Sequence, residues 1–249
     1  NEWLRRQLGD VSGRTMIGNS PAIRIVLDTL HKVRHSDSRV LVTGESGTGK
    51  ELVARYLHHN GPRADHGFFA VNCLALTETL LESELFGHER GAFTGAVGTK
   101  KGLFEVALGG TLFLDEIAET SPAFQGKLLR VIQENEYKRV GGERTLKADA
   151  RIIASTNRNL QSAIAAGAFR EDLYYRLGVV LVHLPPLRER REDIPFLLEH
   201  TARVQALAMK KPVPSFSPDS LAFLCSYSWP GNVRELENVI ERAMIMLEG

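Results

Sequence analysis

Short, nearly continuous apolar runs alternate along this chain with longer stretches of helical period. The runs are Val40-Leu41-Val42, Phe68-Phe69-Ala70-Val71, Thr111-Leu112-Phe113-Leu114, Arg151-Ile152-Ile153-Ala154 and Val179-Val180-Leu181-Val182. Continuous hydrophobicity over so few residues is the mark of a strand covered on both faces. Helix starts lie between them: Ser20-Pro21 and Ser121-Pro122 each set a capping hydroxyl before a proline at the first helical position. Strands alternating with helices predict an α/β fold, a parallel five-stranded sheet between layers of helices.

The pattern changes at Leu184-Pro185-Pro186-Leu187, followed by the charged run Arg188-Glu189-Arg190-Arg191-Glu192-Asp193. Two prolines cannot continue a strand, so this segment reads as a connector. Every periodic segment beyond it is helical. One covers residues 194–209 and another starts at Ser217-Pro218. The last starts at Asn232, where Glu235 three residues on predicts a capping box. Val233, Leu236, Ile240, Ala243 and Leu247 would line one face of that helix. The expected organisation is an α/β domain over residues 1–186 and a small all-helical domain over 187–249.

Composition narrows the class. With 249 residues, 43% of them hydrophobic, the chain can bury one large core and one small one. No apolar run approaches the roughly 20 residues that span a bilayer, and the first residues hold no signal-peptide stretch. Membrane association is therefore not expected. A start at Asn1 rather than Met suggests an excised or processed piece. A net charge of +1 provides no overall field for nucleic acid. Cys73 and Cys225 lack metal-ligand spacing and read as buried thiols of a reducing compartment, by default the cytoplasm.

The chemistry begins after the first strand. Gly44-Glu45-Ser46-Gly47-Thr48-Gly49-Lys50 stands between a strand and a helical pattern, the context a phosphate-binding P-loop requires. Its glycines let the backbone curl so that N–H groups point at phosphate oxygens, and the helix N-terminus adds partial positive charge. Lys50 would reach the outer phosphates. Glu51 stands where the strict motif places a Ser or Thr on magnesium; it could bind the metal through water or sit elsewhere. Sixty-five residues beyond Lys50, an apolar strand ends in Asp115-Glu116. Ligands of open α/β sheets bind at such carboxyl ends. Asp115 would face magnesium, through water, and Glu116 would take a proton from an attacking water. A strand fits between the two motifs and no Asn-Lys-x-Asp guanine reader exists, which favours ATP over GTP. The strand at 151–154 ends in Ser155-Thr156-Asn157, suited either to holding that water or to ordinary turn chemistry.

These motifs resemble those of the sigma-54-dependent transcription activators, the bacterial enhancer-binding proteins. Gly44–Glu51 resembles the P-loop of that family, in which Glu follows the lysine. Glu84-Leu85-Phe86-Gly87-His88-Glu89-Arg90 leads into Gly91-Ala92-Phe93-Thr94-Gly95-Ala96, which matches the family's signature loop. Resemblance continues through Gly109-Gly110-Thr111, Arg139-Val140-Gly141-Gly142 and Trp229-Pro230-Gly231-Asn232-Val233-Arg234-Glu235-Leu236, and covers residues 15–248. It implies a Rossmann-like AAA+ domain with a helical lid, ATP and Mg2+ as cofactors, and sigma contact by residues 91–96. On physical grounds alone that loop has two readings. Its glycines and the aromatic Phe93 suit a mobile docking tip, yet Phe93 could equally tuck back onto the core.

The resemblance also implies roles position by position. Asn72 matches the asparagine that restrains the catalytic glutamate, and Thr156 and Asn157 match the first sensor. Arg170 and Arg176 match arginines presented to a neighbour's ATP, for which a planar, permanently charged fork is suited. Arg234 matches the second sensor. The implied activity is ATP hydrolysis in a homo-oligomeric ring, a hexamer or heptamer, that remodels the closed promoter complex of sigma-54 RNA polymerase holoenzyme. Promoter and enhancer DNA would be engaged mainly through flanking domains. The alternatives are an AAA+ remodeller of another client, which would lack the signature loop, and a nucleotide-gated scaffold, against which the Asp115-Glu116 pair argues.

Overall fold

The structure, a computed structural model, describes residues 16–246. Residues 1–15 and 247–249, at the outer ends of the two expected domains, lie outside the described residues, and so does Leu247. The chain divides into two compact units. One comprises Lys32–Thr43 and Leu57–Val182, the other residues 16–31, Gly44–Tyr56 and the segment from His183 onward.

The first unit carries the sheet. Its strands are β1 (Val40–Thr43), β2 (Phe68–Asn72), β5 (Thr111–Asp115), β8 (Arg151–Thr156) and β9 (Val180–His183, whose last residue falls in the other unit), in the order β2-β5-β8-β1-β9. The β2–β5, β5–β8 and β8–β1 ladders are parallel. All five expected strands are present. β5 and β8 sit at the centre and are almost wholly buried, which their unbroken apolar runs require. β2 and β9 differ from expectation. As edge strands they leave Ala70 and Leu181 exposed despite equally apolar sequences.

Four short strands escape the periodicity because two or three residues carry no detectable period. β3 (Gly87–His88) pairs antiparallel with β4 (Lys100–Lys101), and β6 (Glu136–Lys138) with β7 (Thr145–Lys147). The helix of Pro122–Glu134 shows how the larger elements are encoded. Ser121 caps it by accepting the Phe124 N–H at 3.1 Å, and Phe124, Leu128, Val131 and Ile132 form its buried stripe. Asn135 ends it in the left-handed conformation at φ 54°. That stripe packs with Leu112, Leu114, Phe104 and Leu173 in one continuous core.

In the second unit the helices α1 (Pro21–Val33) and α2 (Lys50–His59) begin, and α8 (Ile194–Met209), α9 (Pro218–Ser226) and α10 (Asn232–Met246) follow the prolines; α3 to α7 are Glu78–Phe86, Leu103–Val106, Pro122–Glu134, Leu160–Ala165 and Glu171–Leu177. Ser217 accepts the Ser220 N–H at 3.2 Å, as expected of the cap. The core of this unit joins Leu187, Ile194, Leu198, Trp229, Leu236, Ile240 and Met244. The buried face of α10 is therefore rotated from the expected one: Met244 is buried and Ala243 is exposed. Cys73 is buried as expected, but Cys225 is only half-buried. Among the described residues no helix is long and apolar enough to cross a membrane.

Trp229 is 1% exposed, and its indole N–H donates to the Leu224 carbonyl at 2.9 Å. Trp229→Ala should cost about 3–5 kcal/mol in urea unfolding followed by circular dichroism; a loss under about 1 kcal/mol would contradict its place in the core.

Candidate functional site

The P-loop follows β1 without a break and leads into α2. Gly44, Gly47 and Gly49 adopt φ of 153°, 78° and 103°, values open to glycine and strained for other residues. Gly47 is the tightest point, because a Cβ there would lie 2.2 Å from the Gly231 carbonyl oxygen. The Gly47 carbonyl accepts the N–H of Val233 at 3.0 Å and of Arg234 at 3.4 Å. Lys50 Nζ donates to the carbonyls of Gly44 at 3.0 Å and Glu45 at 3.3 Å, which places the ammonium inside the curl of the loop. Thr48 Oγ1 donates to the Glu45 carbonyl at 2.8 Å and holds the turn.

Three side chains beyond the connector grip this loop. Arg188 forks onto Glu45 at 2.8 and 2.6 Å, and Arg190 donates to the Thr48 carbonyl at 3.1 Å. Asn232 Nδ2 donates to the Ser46 carbonyl at 3.0 Å and to Glu45 at 3.2 Å, while its Oδ1 accepts the Leu187 N–H at 2.7 Å. The bonds from Arg188 and then Asn232 hold the Glu45 carboxyl down to about 2. The sign is the usual acidic one. Glu45's contribution is complete above the ordinary range near 4.5 and fades as pH falls towards 2. The capping box expected at Asn232 is thus corrected: Asn232 spends its amide on the P-loop, and Glu235 accepts the N–H of Gly231 at 2.8 Å. Arg234 reaches Ser46 Oγ at 3.4 Å. Glu51 pairs with Arg55 one turn along α2 at 2.6 Å.

The acidic residues belong to the other unit. Asp115 ends β5 beside Asn72 in the β2–β5 register, and its Oδ1 accepts the Ser155 hydroxyl. Glu116 takes a left-handed conformation, φ 54° and ψ 49°, and its carboxylate accepts the Asn157 N–H at 3.0 Å. Strained backbone at a carboxylate of this kind commonly marks a functional position. The oxygen of Asn72 accepts the Leu74 N–H at 2.9 Å. Thr156, fully buried at the end of β8, accepts the Arg158 N–H at 3.1 Å and lies beside Thr43 in register. Burial, with Asp115 and Glu116 near by, pushes the Cys73 thiol up to about 12. Arg170 immediately precedes α7 and Arg176 lies in its last turn, both exposed. Arg170 forks onto Asp172 at 3.0 and 2.8 Å, and the Arg176 carbonyl accepts Arg39 Nε at 2.7 Å.

The signature loop is carried by the β3–β4 hairpin. Its base is fixed by Arg139, which donates to Glu89 at 2.8 Å and forks onto Glu105 at 2.9 and 2.7 Å. Thr99 adds a bond to Glu89 at 2.8 Å. Gly91, Thr94 and Gly95 are exposed, Ala92 is half-buried and Ala96 is buried. Phe93 is half-buried against His88, ring centroids 5.0 Å apart at 70°, so of the two readings of the loop the folded-back ring is the one seen here. The network of Glu89, Glu105 and Arg139 gave no sequence signal, because its members are 16 to 50 residues apart.

A loop, strand end and hairpin of these kinds in one chain match known proteins. The Sigma-54 interaction domain model matches residues 16–183, and the AAA+ ATPase lid domain model matches 188–249. The chain belongs to the sigma-54 interaction domain family. It is 55% identical over 247 residues to the Nif-specific regulatory protein of Herbaspirillum seropedicae, covering 99% of this chain and 46% of that protein. Against the transcriptional regulatory protein ZraR of Salmonella typhimurium it is 54% identical, covering 94% and 53% respectively. The chain thus spans about half the length of the curated relatives it matches. Crystal structures of NtrX from Brucella abortus in complex with ADP and with ATP superpose with TM-scores of 0.87 and 0.89 at 42% identity, covering 98% and 99% of this chain and 54% of NtrX in each case. The fold is that of an AAA+ P-loop NTPase with a helical lid.

For this family member the curled P-loop around Lys50 fits a phosphate chain. Asp115, with one oxygen held by Ser155, fits a magnesium that takes one carboxylate together with phosphate oxygens. Among the described residues no group of three His, Cys, Asp or Glu could hold a metal unaided. Gly47→Ala should weaken ADP binding by about tenfold or more, since the loop must open to admit the methyl. Calorimetry with ADP checks this, and unchanged affinity would show that the loop tolerates the displacement.

Proposed function

We propose that this chain is the ATP-hydrolysing motor core of a sigma-54-dependent transcription activator, with an AAA+ domain over residues 1–186 and a lid over 187–249. The observation that carries the reading is the presence, in one member of the family, of a curled P-loop, an acidic strand end with Glu116 in a strained pose, and the signature loop on its own braced hairpin. Gly44, Glu45, Ser46, Gly47, Thr48, Gly49 and Lys50 would bind the phosphates, Arg234 would sense them, and Asp115 would hold Mg2+. The ion neutralises developing charge on the phosphoryl oxygens. Glu116 would orient and deprotonate the attacking water. The bond of its carboxylate to the Asn157 N–H supports grouping Asn157, and Thr156 beside it in sequence, with Glu116.

Arg170 and Arg176 would complete a neighbour's site in a hexameric or heptameric ring. Both are exposed, and Arg176 makes no side-chain hydrogen bond or ion pair among the described residues, as suits a group that acts on another subunit. The loop of residues 91–96 would then be driven against sigma-54 RNA polymerase holoenzyme to remodel the closed promoter complex in the cytoplasm. Promoter and enhancer DNA would be engaged mainly through flanking domains.

ATPase activity per subunit should climb with protein concentration as rings assemble, with size read on the same samples by light scattering. Arg176→Ala should lower turnover by about a hundredfold or more while ADP binding is retained; retained turnover would remove it from the trans-acting arginines. Thr94→Ala should leave ATPase within about twofold and abolish sigma-dependent open-complex formation. Loss of both together would instead favour a structural role for the loop.

A further inference from the structure

His88 has no part in the chemistry above, yet it is a buried ring at the root of the signature loop. It is 9% exposed and stands between two groups. On one side its Nδ1 shares a 2.7 Å hydrogen bond with Ser83 Oγ, itself 3% exposed, on helix α3. On the other its ring meets Phe93 edge to face, centroids 5.0 Å apart at 70°. Such pairs add a few-fold in equilibrium beyond simple burial. Within the loop, the Gly91 N–H donates to the Ala96 carbonyl at 2.9 Å and the Ala96 N–H to the Phe93 carbonyl at 3.0 Å, so the compact turn includes the backbone of Phe93.

Beyond such backbone bonds, the hinge glycines of this turn have open space where a side chain would pack. Gly91 and Gly95 sit at φ 83° and 102°, and a Cβ at either would meet nothing within 4 Å. The hairpin base, by contrast, is fixed independently of the His88 ring. Glu89 is bound by Arg139 and Thr99, and the backbone of residue 88 is held by pairing with Lys100 and bridging to Val140. Removing the ring should therefore free the tip and spare the base.

We propose that His88 is the positioning residue that seats Phe93, and that its bond to Ser83 ties this seat to α3, so that the pair sets the resting position of the signature loop. Helix α3 begins six residues after Asn72, the β2 residue in register with Asp115, so a movement at that strand end has a short covalent route to the seat. The inference rests on the sigma-contact reading of the loop, and the experiment separates the two.

Amide hydrogen exchange is measured on the chain as wild type, His88→Ala, Ser83→Ala and His88→Phe, together with ATPase activity and retention of purified sigma-54 with and without ADP–aluminium fluoride. In His88→Ala, exchange at residues 91–97 should rise about threefold to tenfold while residues 87–89 and 100–101 stay as in wild type. ATPase should remain within about twofold, and sigma-54 should be retained without the nucleotide analogue. His88→Phe, which keeps an aromatic seat but loses the bond to Ser83, should match Ser83→Ala, with exchange between wild type and His88→Ala. Ser83→Ala should raise exchange in the same segment. Unchanged exchange at 91–97 in His88→Ala, or an equal rise at the hairpin base, overturns the seat. An effect of His88→Ala without one of Ser83→Ala overturns the tie to α3. If wild type fails to retain sigma-54 in any nucleotide state, the sigma-contact reading falls, while the exchange result still decides whether His88 seats Phe93.

Discussion

The backbone of Gly47 packs so closely on that of Gly231 that no side chain fits between them, and the bonding of the P-loop to the helical segment depends on this approach. It lets two N–H groups from the start of α10 reach the Gly47 carbonyl. It also brings Asn232, Arg188 and Arg190 within reach of Glu45, Ser46 and Thr48. A phosphate-binding loop must present its N–H groups outward, which leaves its carbonyls in need of donors. Here the helical segment supplies donors for Ser46, Gly47 and Thr48, while Lys50 and Thr48 serve Gly44 and Glu45 from within the loop. A lid built this way can report on the loop it grips, because moving one disturbs bonds made by the other.

The acidic strand end follows a different logic. Asp115 and Glu116 are neighbours in sequence, but the left-handed backbone at Glu116 turns the two carboxylates to separate partners, Ser155 and the Asn157 N–H. One residue of strain thus divides the pair between two tasks. Both partners come from the end of β8, the strand hydrogen-bonded to β5, so sheet order rather than local sequence decides which polar groups serve the acids.

The base of the signature loop depends on charge contacts of longer range. Arg139 joins Glu89 to Glu105, and those two hydrogen bonds raise its guanidinium pKa well above the ordinary arginine range. Above that fixed base, the tip between two open glycines is held by short backbone hydrogen bonds and by the contact of Phe93 with His88.

The five core strands, the helix caps at Ser121 and Ser217 and the P-loop were legible in the sequence, because each is written in residues that touch their near neighbours. So was the resemblance to the family, through motifs of contiguous residues. What sequence alone left open or misplaced was decided partly by near neighbours and partly by groups far apart along the chain. Glu51 pairs with Arg55 four residues on and Phe93 folds onto His88 five residues back, whereas Asn232 serves the distant P-loop rather than its own helix. The exposure of β2 and β9 followed from sheet order, and the face of α10 from what packs around Trp229. Local sequence determined which elements form, since propensity and capping act over a few residues. Only the tertiary structure decided which donor meets which acceptor, since a polar side chain takes whichever partner the packed fold brings within about 3 Å.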